Sequence, residues 1–283
     1  MTNSNSYYSN SKSYFNLFHR IKPSLFLLTL IFIFYYLFVL KNFDKMYYNI
    51  KYFINPSPTI IFLPTIDLLF LLQDDNDNYY KTFTQNDLRV RNVKNIDEYK
   101  QNIKQSVYDL NDNEKYKINE SIKIITKKFD NVNVDNNYEY FDGKKANRIP
   151  WKIGSIKGEL YEGGHAHTRN NVIILSKEFI NNSNTDNLVE LLIHEKVHVY
   201  QKMYPKDTDV YLQKNNFVKT QRKTEKTYRA NPDTNEWIYN DNDQIYEAVY
   251  NDNPSSINDV TFASKSIMYE HPFEKMAYEL QDI

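Results

Sequence analysis

The chain has 283 residues and a formal net charge of −1, with 25% charged residues and six histidines. A near-neutral chain without a long basic run is not typical of nucleic-acid-binding proteins, so no nucleic-acid partner is predicted. Cysteine is absent, which excludes disulfides, cysteine nucleophiles and cysteine-ligated zinc. Any transition-metal site in this chain must therefore use His, Asp or Glu.

The N-terminal region contains a polar tail followed by an apolar run. Residues 1–24 are of low complexity and are predicted to be disordered. Residues 25–40 carry no charge, Gly or Pro, and as a helix they would span roughly 24 Å of a hydrocarbon core about 30 Å thick. The run predicts a single-pass transmembrane anchor, with a signal peptide or a buried helix as alternatives. Basic residues are nearly balanced on its two sides, so the orientation is not predicted.

A second apolar stretch, TIIFLPTIDLLFLL, lies within residues 41–85 and is interrupted by Pro64. It also carries Asp67, and a charged side chain inside a membrane span is costly. We therefore predict that residues 41–85 form a linker and connecting segment whose apolar part packs as globular core or lies at an interface. A second membrane span is the alternative.

Residues 86–283 predict an α+β domain. Apolar residues at helical spacing predict helices in 95–110 and 113–129, and NRIPWKIGSIKGELYEGG and TRNNVIILS predict strands. A helix is predicted between the possible N-caps at 184–186 and Pro205, and a final helix after Pro272. The segment TYRANPDTNEWIYND predicts a hairpin that turns at residues 231–234.

The stretch LLIHEKVHVYQ contains two histidines four residues apart, His194 and His198, on the predicted helix. This spacing places both imidazoles on one face, where they can bind one Zn²⁺ ion. Glu195 is turned by about 100° from His194, so it is badly placed as a ligand to that ion. It is well placed to take a proton from a water bound to the metal. A buried, hydrogen-bonded histidine pair is the alternative.

A catalytic zinc site needs a third protein ligand. Glu274 is predicted, because it lies near the start of the final helix and Ala277 would let that helix approach the first closely. The other downstream candidates remain open; they are Glu247, Glu270, His271 and Glu279.

The motif HEKVH, followed at a distance by HPFEKMAY, resembles the gluzincin group of zinc metallopeptidases, whose third ligand is a glutamate on a later helix. With YEGGHAHTRNNVIIL and RANPDTNEWIY, these segments also resemble metallopeptidase-like proteins of large DNA viruses and algae, over about residues 140–283. The resemblance implies a zincin-like domain with a small mixed sheet beside the active-site helix. It also implies that HTRNNVIIL forms the strand that pairs with an extended substrate.

Further residues near these motifs have two possible roles each. His165 and His167 could contact substrate at the cleft rim or be ordinary loop and strand residues. Tyr278 shares a helix face with Glu274 and could donate to an oxyanion or serve in packing. Arg169 and Arg229 could bind a substrate carboxylate, but support of the fold through ion pairs is favoured.

Together these observations predict a membrane-anchored zinc metallohydrolase, most simply a peptidase acting on peptides or proteins. Its metal ligands would be His194, His198 and Glu274, and Glu195 would be the catalytic base. Two alternatives remain: a zinc hydrolase of a non-peptide amide, and a non-catalytic structural protein of a membrane or virion that keeps the domain.

Overall fold

The computed structural model describes residues 35–36, 58–132, 138–222, 228–242, 244–263 and 269–283. The chain divides into two compact units, Met1–Ile54 and Asn55–Ile283. Tyr35 and Tyr36, both helical, are the described residues of the first unit. The elements below all belong to the second unit.

The predicted transmembrane anchor at residues 25–40 requires a correction. Across the described ranges, no helix combines the length and the apolar character that a membrane crossing demands. The uncharged run at residues 25–40 is also short for a membrane span, which typically needs about 20 apolar residues. Apart from Tyr35 and Tyr36, the predicted anchor lies outside the described residues, as do the predicted polar tail and residues 41–57. The anchor, the single-pass membrane localisation and the membrane partner are therefore not retained.

The second unit mixes helices and strands along the chain, which confirms the α+β class. Its described helices are α1 (Thr65–Asp74), α2 (Gln85–Val90), α3 (Ile96–Ser106), α4 (Asp112–Asn131), α5 (Gly143–Arg148), α6 (Lys177–Asn182), α7 (Thr185–Met203), α8 (Pro205–Lys214) and α9 (Pro272–Gln281). Its described strands are β1 (Ile60–Phe62), β2 (Trp151–Ile156), β3 (His167–Arg169), β4 (Val172–Ser176), β5 (Phe217–Arg222), β6 (Trp237–Asp241), β7 (Gln244–Tyr246), β8 (Ala248–Tyr250) and β9 (Val260–Phe262).

The principal sheet has the strand order β1-β2-β4-β3. Strands β1, β2 and β4 run parallel, whereas β3 runs antiparallel to β4 and lies at the sheet edge. Smaller antiparallel sheets are formed by β5-β6-β7 and by β8-β9. The short connection between β3 and β4 includes Asn170 in the left-handed conformation, at φ 54°, which asparagine tolerates better than most residues.

The apolar stretch around Pro64 belongs to the core of this unit. Pro64 separates β1 from α1, where Leu68 and Leu72 are fully buried, while Asp67 lies exposed in the first turn. Close packing of α1 on the sheet depends on Gly154 in β2, since a Cβ there would lie 2.6 Å from Leu68 Cδ1. The compact unit thus begins at Asn55 rather than at residue 86.

Helix α7 is the central helix of the unit. It begins after Asn184, whose side chain accepts a hydrogen bond from the Asn187 amide at 2.8 Å, and Pro205 starts the next helix. It packs against α4, α9 and the strands β3 and β4. Leu192 and Val197 are fully buried, and each such side chain stabilises the fold by roughly 1.5–3 kcal/mol. This packing fixes both faces of the helix that carries the histidines.

The prediction of a hairpin at residues 231–234 is wrong. Strand β6 pairs with β5 and β7, while Tyr228 forms a bridge to Val249 in β8. The segment fails to turn back on itself because its side chains bond elsewhere: Asn231 reaches Glu270 and Glu274, and Asp233 reaches β3. Residues 231–234 therefore connect two sheets and contact the elements around α7.

A buried ion pair between Glu162 and Arg91 provides a test of the fold. The guanidinium donates to both carboxylate oxygens, at 3.0 and 2.8 Å, and Tyr79 and Tyr99 donate to the same carboxylate. Burial disfavours the charged carboxylate, but Arg91, aided by His167 and the Tyr99 hydroxyl, outweighs burial and lowers the pKa of Glu162 from 4.5 to about 2. The pair thus stabilises the fold above pH 4.5, and this stabilisation is lost as the pH falls from 4.5 towards 2.

We expect Glu162→Gln to lower the free energy of unfolding at pH 7 by about 3 kcal/mol, because the buried Arg91 would lose its closest counter-charge. Only the Asp87 carboxylate, 3.5 Å away, would remain beside the guanidinium. The variant should also lose less stability than the unaltered chain between pH 4.5 and 2. Chemical denaturation at pH 7 and pH 3 measures both effects, with the exposed Glu159→Gln as control. Equal stability of the variant and the unaltered chain at pH 7 would contradict the assignment.

Candidate metal centre

Three side chains from two helices converge at one point of the fold. His194 and His198 lie one turn apart on α7, and their Nε2 atoms are 3.1 Å apart. Glu274, in the first turn of α9, places Oε2 3.3 Å from His194 Nε2 and 3.6 Å from His198 Nε2. Within the described ranges, these three residues form the group of side chains able to hold a metal ion.

The three separations fit a tetrahedral zinc site. Zinc bonds to imidazole nitrogen and carboxylate oxygen are about 2.0–2.2 Å long, so two ligand atoms at a tetrahedral angle lie about 3.3 Å apart. The observed distances of 3.1, 3.3 and 3.6 Å scatter around that value. Two imidazoles and one carboxylate are also a donor set that catalytic zinc sites use.

Electrostatic attraction between the Glu274 carboxylate and the two imidazoles stabilises this arrangement. Burial disfavours the charged form of His198, but the carboxylates of Asp233 and Glu274 outweigh burial and raise its pKa from 6.5 to about 9. Burial likewise disfavours the Glu274 carboxylate, but His198 and His194 outweigh it and hold the Glu274 pKa well below its usual range. Positive charge is therefore favoured where the three ligand atoms meet.

Gln201 orients the His198 ring. Its Oε1 lies 3.0 Å from His198 Nδ1, and its Nε2 donates to the Phe273 carbonyl at 3.0 Å. The second bond fixes the amide, so Oε1 accepts from Nδ1–H and Nε2, the atom that a metal would bind, faces the centre. Hydrogen bonds of this kind fix the tautomer and raise the basicity of a ligating histidine.

Asn231 orients the Glu274 carboxylate. Its Nδ2 donates to Glu274 Oε1 at 2.9 Å, which leaves Oε2 directed at the two imidazoles. The same amide donates to Glu270 Oε1 at 2.5 Å, and Glu270 is ion-paired with Arg229 at 2.8 Å. Asn231 thereby anchors the predicted third ligand to a buried ion pair.

Glu195 lies beside the three converging residues but is not one of them. Its Oε2 accepts a hydrogen bond from Thr168 Oγ1 at 2.8 Å. Burial, reinforced by the nearby Asp233 carboxylate, raises the pKa of Glu195 from 4.5 to about 8. A carboxyl whose pKa is raised towards neutrality is suited to accept and then donate a proton.

The other candidate ligands are held elsewhere. Glu270 is paired with Arg229. His271 caps α9 by accepting from the Phe273 amide, and its Nε2 lies 3.1 Å from Asn235 Oδ1. Glu279 is exposed and lies near Lys275. Neither these residues nor Glu247 belong to the converging group in the described part of the chain.

His165, in the loop before β3, and His167, the first residue of β3, differ in environment. His165 is exposed at the cleft rim, with Nε2 3.1 Å from Asn258 Nδ2. His167 is buried, with Nε2 3.0 Å from the Tyr161 hydroxyl and Nδ1 3.0 Å from the His165 carbonyl oxygen. His167 therefore belongs to the packing of the cleft wall, whereas His165 is accessible.

Tyr278 lies at the centre, and the two arginines support the fold. The Tyr278 ring packs edge-on against His194 with centroids 4.6 Å apart, and 42% of the residue is exposed. Arg169 is fully buried and forms two 2.6 Å hydrogen bonds to Asp77. Arg229 is paired with Glu270. Both arginines therefore form ion pairs that support the fold, which is the role predicted for them from the sequence.

A cavity of about 550 Å³ opens onto the centre. Its walls include β3 and the loop before it, the polar face of α7, the segment 229–233 and α9. Residues lining it include Ala166, His194, Glu195, Asp233, Glu274 and Tyr278. A space of this size next to the converging ligands can admit several residues of a peptide or a small organic molecule.

Four residues that organise the site were not predicted from the sequence; they are Thr168, Gln201, Asn231 and Asp233. A signal for Gln201 exists, because it follows His198 by three residues and so shares its helix face. The other three act through contacts between segments far apart in the chain, for which neither spacing nor periodicity gives a signal.

Removing the Asn231 amide should weaken metal binding. We expect Asn231→Ala to lower zinc affinity by about 10–100-fold, the usual effect of losing a hydrogen bond to a ligand. Competition with a chromophoric chelator measures the affinity, and exposed Asn182→Ala is the control. Unchanged affinity in a folded Asn231→Ala protein would show that the amide does not position Glu274.

No family model, curated protein or solved structure matches this chain with significance. What the site does is therefore inferred from its own residues.

Proposed function

We propose that the chain is a zinc-dependent hydrolase that cleaves peptide bonds. His194, His198 and Glu274 would hold Zn²⁺ in the gluzincin arrangement, with Glu195 as the general base. One observation carries this proposal: two imidazole nitrogens and one carboxylate oxygen meet at tetrahedral spacing. The buried Glu195 carboxylate lies beside them and lines the cavity. Bound zinc would supply Lewis acidity, which polarises a carbonyl and acidifies water.

Glu195 would move the protons of the reaction. Its carboxylate takes a proton from the attacking water and later passes a proton to the departing amine. The hydrogen bond from Thr168 holds the carboxylate in position throughout. Tyr278 lines the cavity and its ring packs against His194, so we propose that its hydroxyl serves the oxyanion.

A peptide substrate is favoured by the surroundings of the centre. The residues that lead into the edge strand β3 border the cavity, and exposed main-chain groups at a sheet edge can bind extended peptides. Of the segment HTRNNVIIL, to which the gluzincin resemblance assigns substrate pairing, only β3 lies at the sheet edge, because β4 lies between β2 and β3. A cavity dedicated to a small non-peptide amide would have no need of an edge strand.

Metal analysis and a peptide library together test the proposal. The 283-residue chain should bind one equivalent of zinc, and the zinc-loaded protein should hydrolyse members of the library. A chelator should abolish hydrolysis and added zinc should restore it. Zinc binding with hydrolysis of simple amides but no peptides would indicate the non-peptide hydrolase, and absence of metal binding would indicate the non-catalytic protein.

A further inference from the structure

The outer edge of β3 is blocked at Thr168. Strand β3 pairs with β4 on one side, and the main-chain groups of Thr168 point to the other. The Thr168 N–H donates to Asp233 Oδ1 at 2.7 Å, and Lys202 Nζ donates to the Thr168 carbonyl at 2.7 Å. Lys202 also donates to the Pro232 carbonyl at 3.1 Å. These bonds occupy the groups that an added strand would use.

The edge is open only before Thr168, in the residues that lead into β3. Gly164, His165, Ala166 and His167 line the cavity, whereas Thr168 is fully buried. Ala166 is the next residue whose main-chain groups face the outer edge, since alternate residues of a strand point the same way. An extended substrate can therefore pair at Ala166 but cannot continue past Thr168, so one of its ends must stop there.

The closed end of the cavity carries a carboxylate. Asp233 is 7% exposed and lines the cavity at the point where β3 is capped. The guanidinium in the cavity wall, Arg229, is already paired with Glu270. The Lys202 ammonium at this end is held by the Thr168 and Pro232 carbonyls. A substrate carboxylate would therefore meet Asp233 with neither cation free, whereas a substrate ammonium group would be attracted by Asp233.

From this geometry we propose that the enzyme cleaves peptides close to a free amino terminus, with the terminal ammonium bound against Asp233. The remainder of the substrate runs past Ala166 and leaves the cavity beside His165, antiparallel to β3. One water is consumed as the C–N bond breaks; the released N-terminal fragment keeps the new carboxylate and the shortened peptide carries the new ammonium. The inference rests on the proposed peptidase function.

Three versions of one peptide test the inference on the unaltered zinc-loaded protein: one with both ends free, one N-acetylated and one C-amidated. Mass spectrometry should show cleavage near the amino terminus of the free and C-amidated peptides, with the N-acetylated peptide cleaved at least about tenfold more slowly, the effect of losing a charged hydrogen-bond donor. Equal cleavage of the N-acetylated peptide would overturn the inference and leave the peptidase function standing. No cleavage of any version would overturn both.

Binding gives a second measure that does not depend on turnover. The zinc-loaded Glu195→Gln protein should bind the free peptide at least about tenfold more tightly than the N-acetylated one. Adding Asp233→Asn, which keeps an acceptor for the Thr168 amide but removes the charge, should reduce this preference to near one. Exposed Asp209→Asn on α8 should leave it unchanged. A preference that survives Asp233→Asn would rule out the proposed ammonium site.

Discussion

Glu195→Gln is expected to reduce peptide hydrolysis by about 100-fold to 10,000-fold, the usual contribution of a general base. The substitution preserves the size of the side chain and an oxygen that can accept from Thr168, so the packing around α7 should be kept. It removes only the ability to take a proton. Steady-state kinetics of the zinc-loaded protein with a cleavable peptide measures the loss.

The metal content of the same variant decides how the loss is interpreted. Glu195 lies outside the converging group of His194, His198 and Glu274, so zinc binding should match that of the unaltered chain. Asp186→Asn, the same carboxylate-to-amide change in the exposed first turn of α7, should leave both rate and metal content unchanged. If Glu195→Gln lost its zinc, Glu195 would be a ligand or a structural residue, and the proposed proton transfers would fail.

Glu274→Gln should weaken zinc binding more than any change in the surrounding hydrogen bonds. The amide oxygen is a poorer ligand than a carboxylate, and the negative charge opposite His194 and His198 disappears. We expect a loss of affinity greater than about 100-fold, beyond the range typical of residues that only orient a ligand. Chelator competition and metal analysis after dialysis both measure this loss.

A matched control lies on the same helix. Glu279→Gln makes the same chemical change in the last part of α9, where the side chain is exposed. Its zinc affinity should equal that of the unaltered chain. A Glu274→Gln protein that still bound zinc with full affinity would remove Glu274 from the ligand set, and the gluzincin arrangement would have to be abandoned.

The parts of this site that could be predicted are those governed by helix geometry. The separation of His194 and His198 by four residues places both rings on one face whatever surrounds the helix. Asn184 and Pro205 mark the ends of the predicted helix, and α7 begins and ends beside them. The place of Glu274 near a helix start and beside the small Ala277 predicts its role, and Ala277 is fully buried where α9 packs against α7.

The parts that could not be predicted depend on contacts between distant segments. The turn-forming residues at 231–234 predict a change of chain direction, which the structure has. They do not predict which elements this segment contacts. The Asn231 and Asp233 side chains bond to α9 and β3, and these contacts determine where the chain goes. The apolar run at 25–40 predicted an anchor from composition alone, and no described helix meets the requirements of a span.

The cap on Thr168 also bears on how copies of the chain behave at high concentration. An uncovered edge strand offers unpaired amide and carbonyl groups to any other strand, and is a common starting point for aggregation. At β3 these groups are bonded to Asp233 and Lys202, and the two side chains place opposite charges along the edge. The segment that shapes the cavity therefore also keeps this side of the sheet from recruiting a neighbouring molecule and so favours colloidal stability.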